Sequence, residues 1–192
     1  MLALRRYIQA VLLLGLSSVL SVQAVHGHLM VAQHGTLNIV EDGVFMVLSL
    51  PITAFDGIDT DNNDRVSMVE FNNYRGVIID SVRENVMLSD SDGSLPIQGI
   101  MLSPVVPHDA VVESVLQLTV LAKFSLKDPA SALYFYLGLY GKQFAQQSIE
   151  MTATRASDKQ KVVFGLTPAA PSGELFSGGA RAQQTSSVAR NF

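Results

Sequence analysis

Apolar runs rich in Val, Ile, Leu, Phe and Tyr, each closed by an acidic or glycine-bearing turn, recur from Thr36 to Leu166. That rhythm constrains the fold most, because runs too short for long helices but rich in β-branched and aromatic residues read as strands. Thr36–Val40 and Val44–Leu50 flank Glu41-Asp42-Gly43, and an Asp-Gly turn between such runs marks a hairpin. Val86–Leu88 and Leu95–Ile97 flank the polar turn Ser89–Ser94. Ser114–Leu126 and Ala132–Tyr140 read as long strands joined at Lys127-Asp128-Pro129, and Gln147–Arg155 with Lys161–Leu166 as a hairpin around Ala156-Ser157-Asp158. For Ala132–Leu139 a buried helix is the alternative, since Tyr, Phe and Leu suit either state. Strands of this length with short turns imply an antiparallel sandwich or curved sheet.

One segment interrupts the pattern. In Asp59-Thr60-Asp61-Asn62-Asn63-Asp64-Arg65-Val66-Ser67-Met68-Val69-Glu70, side-chain oxygens fall at positions one, three, five, nine and twelve: Asp59, Asp61, Asn63, Ser67 and Glu70. Calcium is a hard cation that takes about six to eight oxygens, and a tightly wound loop presents them from alternate positions. The segment resembles the loop of the EF-hand calcium-binding family. The resemblance implies Ca²⁺ as the bound ion, the backbone carbonyl of Arg65 as the seventh-position ligand, and Glu70 as the bidentate closing carboxylate. It also implies that Val66, at position eight, anchors the loop against a neighbour. The family's sixth position favours Gly, because the chain turns there through positive φ, and Asp64 occupies it here. Downstream, Phe71, Tyr74, Ile78 and Val82 share one face of an exiting helix over Ser67–Asn85. Upstream, Pro51 opens a short entering helix carrying Phe55 and Ile58, weakened by Gly57.

The resulting expectation is an α+β protein, mainly antiparallel β and sandwich-like, with an EF-hand helix-loop-helix inserted at residues 52–86. The match spans about residues 52–80 and identifies a ligand site, not a whole protein. A second acidic stretch does not repeat it. Counted from Asp90, position seven is Pro96 and position twelve is Met101, where a carboxylate belongs.

Arg5 and Arg6 followed by the Leu-rich run Tyr7–Leu20 and by Val22-Gln23-Ala24 read as a secretory signal peptide over residues 1–24. The run is shorter than the roughly 20 apolar residues that span a bilayer, so no membrane span is expected after cleavage. The expected location is periplasmic or secreted. Cleavage after Ala24 takes 24 of the 192 residues and two of the thirteen basic ones, leaving 168 residues with 11 basic and 17 acidic groups, a net charge of −6. A β-rich domain over residues 28–176 and a disordered tail over 177–192, with Gln, Ser, Thr and Ala but little apolar content, follow from composition. Mild acidity without a basic cluster argues against nucleic acid or an anionic membrane as partner. With no Cys, disulfides and thiolate chemistry are excluded, and calcium, abundant outside many cells, becomes a natural clamp.

No nucleophile elbow, helical metalloprotease pattern or phosphate-cradling loop occurs, so the chain is not expected to be an enzyme. The four histidines offer one competing reading. Cleavage after Gly27 would leave His28 as the first residue, with amine and imidazole both available to copper. This resembles periplasmic copper carriers and copper monooxygenases, with His34 and Met30 as further ligands. His26 and His108 complete the set. The expected function is therefore a calcium-binding exported protein whose single loop stabilises a structural or interaction domain. Its alternative is a periplasmic copper-binding carrier. The sequence names no protein partner.

Overall fold

A computed structural model describes residues 33–107 and 114–176. The proposed signal peptide, His26, His28, Met30, His108 and the 177–192 tail lie outside the described residues.

Among the described residues, ten strands form two sheets. β1 (His34–Val40) and β2 (Gly43–Pro51) make the first hairpin, followed by a single 3-10 turn, Ile52–Ala54. After the loop come α1 (Met68–Asn73) and α2 (Arg75–Asn85), then β3 (Val86–Asp90), β4 (Gly93–Leu95), β5 (Gln98–Val105) and β6 (Gln117–Ser125). The chain closes with β7 (Leu133–Leu137), β8 (Ile149–Arg155), β9 (Gln160–Leu166) and β10 (Ser172–Phe176). One sheet has six strands in the order β5-β6-β2-β1-β8-β9, and the other four in the order β10-β7-β3-β4. Every pairing is antiparallel except that of β1 with β8, which run parallel.

Strand alternation builds the core. Val44, Met46, Leu48 and Leu50 of β2 face the same way as Leu118, Val120, Ala122 and Phe124 of β6, and all are buried. From the smaller sheet, Val86, Leu88, Leu133, Phe135 and Leu137 join them in one apolar cluster. Period-two alternation is what turns a half-apolar strand into a one-sided wall. Phe71, Ile78 and Val82 bring the helices into the same cluster, and Tyr74 packs against it half-buried.

The three hairpins expected from turn chemistry form: β1–β2, β3–β4 and β8–β9. In the second acidic turn, Asp90 Oδ1 accepts hydrogen bonds from the Asp92 and Gly93 amides at 2.8 and 3.2 Å, so its acidic group serves the hairpin. Ala132–Leu139 resolves in favour of strand. β7 alternates buried and outward residues, which a buried helix would not do.

The helix-loop-helix expectation needs correction on two counts. No entering α-helix forms. Pro51 is extended (φ −64°, ψ 142°) and ends β2, where it pairs with Gln117, so only the 3-10 turn Ile52–Ala54 remains between strand and loop. The exiting helix is present but breaks at Tyr74 (φ −102°, ψ 13°), which caps α1 and starts α2. β6 and β7, read as consecutive strands, sit in different sheets. Among the described residues no helix is long and apolar enough to cross a membrane.

Candidate metal centre

Residues 59–65 of the 59–70 loop hang between two buried anchors, Ile58 and Val66, with 60–65 exposed. The loop turns through positive φ at Asn62 (54°) and Asp64 (61°). Asp and Asn tolerate that region better than most residues, and Asp64 takes the conformation for which Gly is usual at position six.

The acidic side chains fold inward onto the loop's own amides. Asp59 accepts from the Asn63 amide (Oδ1, 3.2 Å) and the Asp64 amide (Oδ2, 3.0 Å). Asp61 accepts from the Asn63 amide at 3.2 Å and from Asn63 Nδ2 at 2.7 Å. Asn63 Oδ1 in turn accepts from the Arg65 amide at 2.9 Å. Short polar side chains capping nearby amides are the usual way a tight loop satisfies its backbone.

Glu70 closes the loop from the helix side. It is the third residue of α1, whose N-cap is Ser67, and the two form a reciprocal capping box. Glu70 Oε2 accepts from the Ser67 amide and hydroxyl, both at 2.9 Å, while Ser67 Oγ accepts from the Glu70 amide at 3.2 Å. Glu70 Oε1 accepts from the Thr60 amide at 2.8 Å and the Thr60 hydroxyl at 2.9 Å. One nearly buried carboxylate thus joins the loop's second residue to its ninth. The Ser67 amide first, then the Thr60 amide and the two hydroxyls, hold the Glu70 carboxyl down at about 2. It stays ionised throughout the physiological range.

Carboxylate oxygens of Asp59, Asp61 and Glu70 all come within 4.8 Å of one another. Three anionic hard-oxygen donors at that spacing fit a hard cation rather than a soft one. Asn63 and Ser67, also expected as ligands, are engaged within the loop. Ser67 Oγ lies at the Glu70 carboxylate, Asn63 Oδ1 is engaged by the Arg65 amide, and Arg65 follows as the exposed seventh residue. A cleft of about 860 Å³ opens beside the loop, its lining including Asp59, Asn62, Asp64, Arg65, Lys142 and Gln143.

Two contributors were not singled out from sequence. Thr60 supplies two of the four hydrogen bonds to the Glu70 carboxylate, and the segment Ser114–Val115, ahead of β6, bonds to the loop. The Ser67-x-x-Glu70 spacing is itself a capping-box signature, so the helix start was readable; nothing in the spacing points to residue 115. Of the competing copper ligands, only His34 is described. It starts β1, with Nε2 3.4 Å from the Glu150 carboxylate of the adjoining strand. In comparison with known proteins, no family model matches this chain and no curated protein is significantly similar to it.

Proposed function

We propose that this chain is an exported calcium-binding protein, not an enzyme, whose single EF-hand-like loop clamps a β-rich structural or interaction domain. The observation that carries the reading is the meeting of Asp59, Asp61 and Glu70 at loop positions one, three and twelve, with their oxygens within 4.8 Å. The proposed ligand set is Asp59, Asp61, Asn63, the Arg65 carbonyl, Ser67 and Glu70. A clamp is favoured over a sensor. Sensor hands act by swinging two helices apart to expose an apolar groove, and here a three-residue 3-10 turn stands where the first helix would be. Phe71, Ile78 and Val82 on the other side are already part of the common core.

Affinity is expected in the range of extracellular sites, about 10⁻⁴–10⁻³ M. An incoming ion has to compete with the four hydrogen bonds that already occupy Glu70. The test is calcium titration by calorimetry of wild type, Glu70→Gln and Ser67→Ala. Glu70→Gln should abolish most of the binding, and Ser67→Ala should weaken it less, because the ninth position often acts through water. Equal binding by wild type and Glu70→Gln would end the assignment.

A further inference from the structure

We infer that Val115 is the loop's built-in pairing partner and a positioning residue for Glu70, an inference that rests on the calcium reading of the loop. Position eight is Val66, and its carbonyl accepts a hydrogen bond from the Val115 amide at 2.8 Å. Ser67 and Ser114 complete an antiparallel bridge. Val66 is 5% exposed and Val115 1%, so the contact is sealed inside the apolar core.

Val66 C=O and Ser67 N–H belong to one planar peptide group. Its oxygen is held by Val115, and its N–H donates to Glu70 Oε2 at 2.9 Å. The amide of residue 115 therefore acts on the carboxylate through a rigid unit. Hydrogen bonds on the two ends of one peptide polarise each other, which strengthens the bond to the anion. The strap continues: the Leu116 amide donates to the Val105 carbonyl at 3.0 Å, and the Leu116 carbonyl accepts from the Ile52 amide at 3.0 Å. Residues 114–116 thus tie together the loop, the end of β5 and the segment leaving β2. The loop's position-eight carbonyl is satisfied within the chain and requires no second hand. Calcium binding is therefore one ion per monomer, without cooperativity.

The test compares Val115→Pro, which removes the amide donor, with Val115→Ala, which keeps it while trimming the side chain. Calcium affinity by calorimetry should fall about three- to tenfold in Val115→Pro, the effect of losing one backbone hydrogen bond. It should stay within about twofold of wild type in Val115→Ala. The Ser67 amide proton, shifted downfield by its carboxylate acceptor, should move upfield only in Val115→Pro. If Val115→Pro does not fold, hydrogen exchange on the wild-type chain decides, with calcium expected to slow exchange of the Val115 amide. Wild-type affinity in folded Val115→Pro, equal losses in both variants, unchanged exchange at Val115, or calcium-driven dimerisation would each overturn the inference while leaving the calcium site standing. Absence of calcium binding by the wild-type chain would overturn both.

Discussion

Gly35 offers a direct test of how the larger sheet is assembled. It lies in β1 opposite Leu48 of β2 and Met151 of the parallel strand β8. A Cβ added there would lie 2.6 Å from Leu48 Cδ2 and 2.7 Å from Met151 Cε, and would meet Met151 Sδ as well. Both neighbours are 0% exposed, so neither can swing into solvent. Inserting a methyl into such a core costs about 1–3 kcal/mol through displaced side chains and backbone. Against this, Gly→Ala reduces the freedom of the unfolded chain, worth about 0.4–1 kcal/mol. The expected net loss for Gly35→Ala is about 1–2 kcal/mol, or a melting temperature lower by about 2–8 °C for a chain of this size. Gly165→Ala on β9 is the control. Nothing lies within 4 Å of its added Cβ, so the entropy gain stands alone and stability should hold or rise. Urea unfolding followed by circular dichroism reads both, with an unchanged slope confirming that the midpoint shift reports stability. If Gly35→Ala were as stable as wild type, Met151 would not cover Gly35, and the parallel β1–β8 register would be wrong.

Calcium at about ten times its dissociation constant should add about 1.4 kcal/mol by mass action, seen as a higher melting temperature; a strong calcium-induced gain in hydrophobic-dye fluorescence would instead favour a sensor. Because the Glu70 carboxyl lies at about 2 in the folded chain against an ordinary 4.5, its contribution to stability is fully present above about pH 4.5 and is lost as pH falls towards 2. Melting temperature followed over that window should drop less steeply in Glu70→Gln than in wild type, and identical slopes would show that the capping box does not form. At the other end of the molecule, Arg155 is 4% exposed, donates to Asp158 at 2.8 and 3.0 Å and stacks 4.6 Å from the Phe176 ring centroid. Arg155→Ala should cost about 1.5–3 kcal/mol through the lost stem packing and ring contact. Wild-type stability of that variant in chemical denaturation would show that the β8–β9 turn and β10 are not joined through Arg155.

The features legible in the sequence are those settled within a few bonds. Asp42-Gly43, Asp90–Gly93 and the turn after Arg155 marked three hairpins, because turn conformation depends on the residues of the turn itself. The donor order Asp59, Asp61, Asn63, Ser67, Glu70 could be read in the same way, since covalent spacing determines which oxygens a wound loop can gather. Tertiary structure decided the rest. Pro51 suits the first turn of a helix, yet strand pairing with Gln117 claims it for β2, an example of long-range hydrogen bonding overriding local preference. Whether Ser114–Leu126 and Ala132–Tyr140 share a sheet depends on which apolar faces meet, and alternation shows only that each has such a face. Likewise β1 and β8 are joined over more than a hundred residues of chain, so no local signal carries their parallel register. The same holds at the proposed metal centre. Residues 59–70 supply the proposed ligands by their spacing, but the peptide whose N–H donates to Glu70 is held by the amide of Val115, which packing of the fold brings beside the loop.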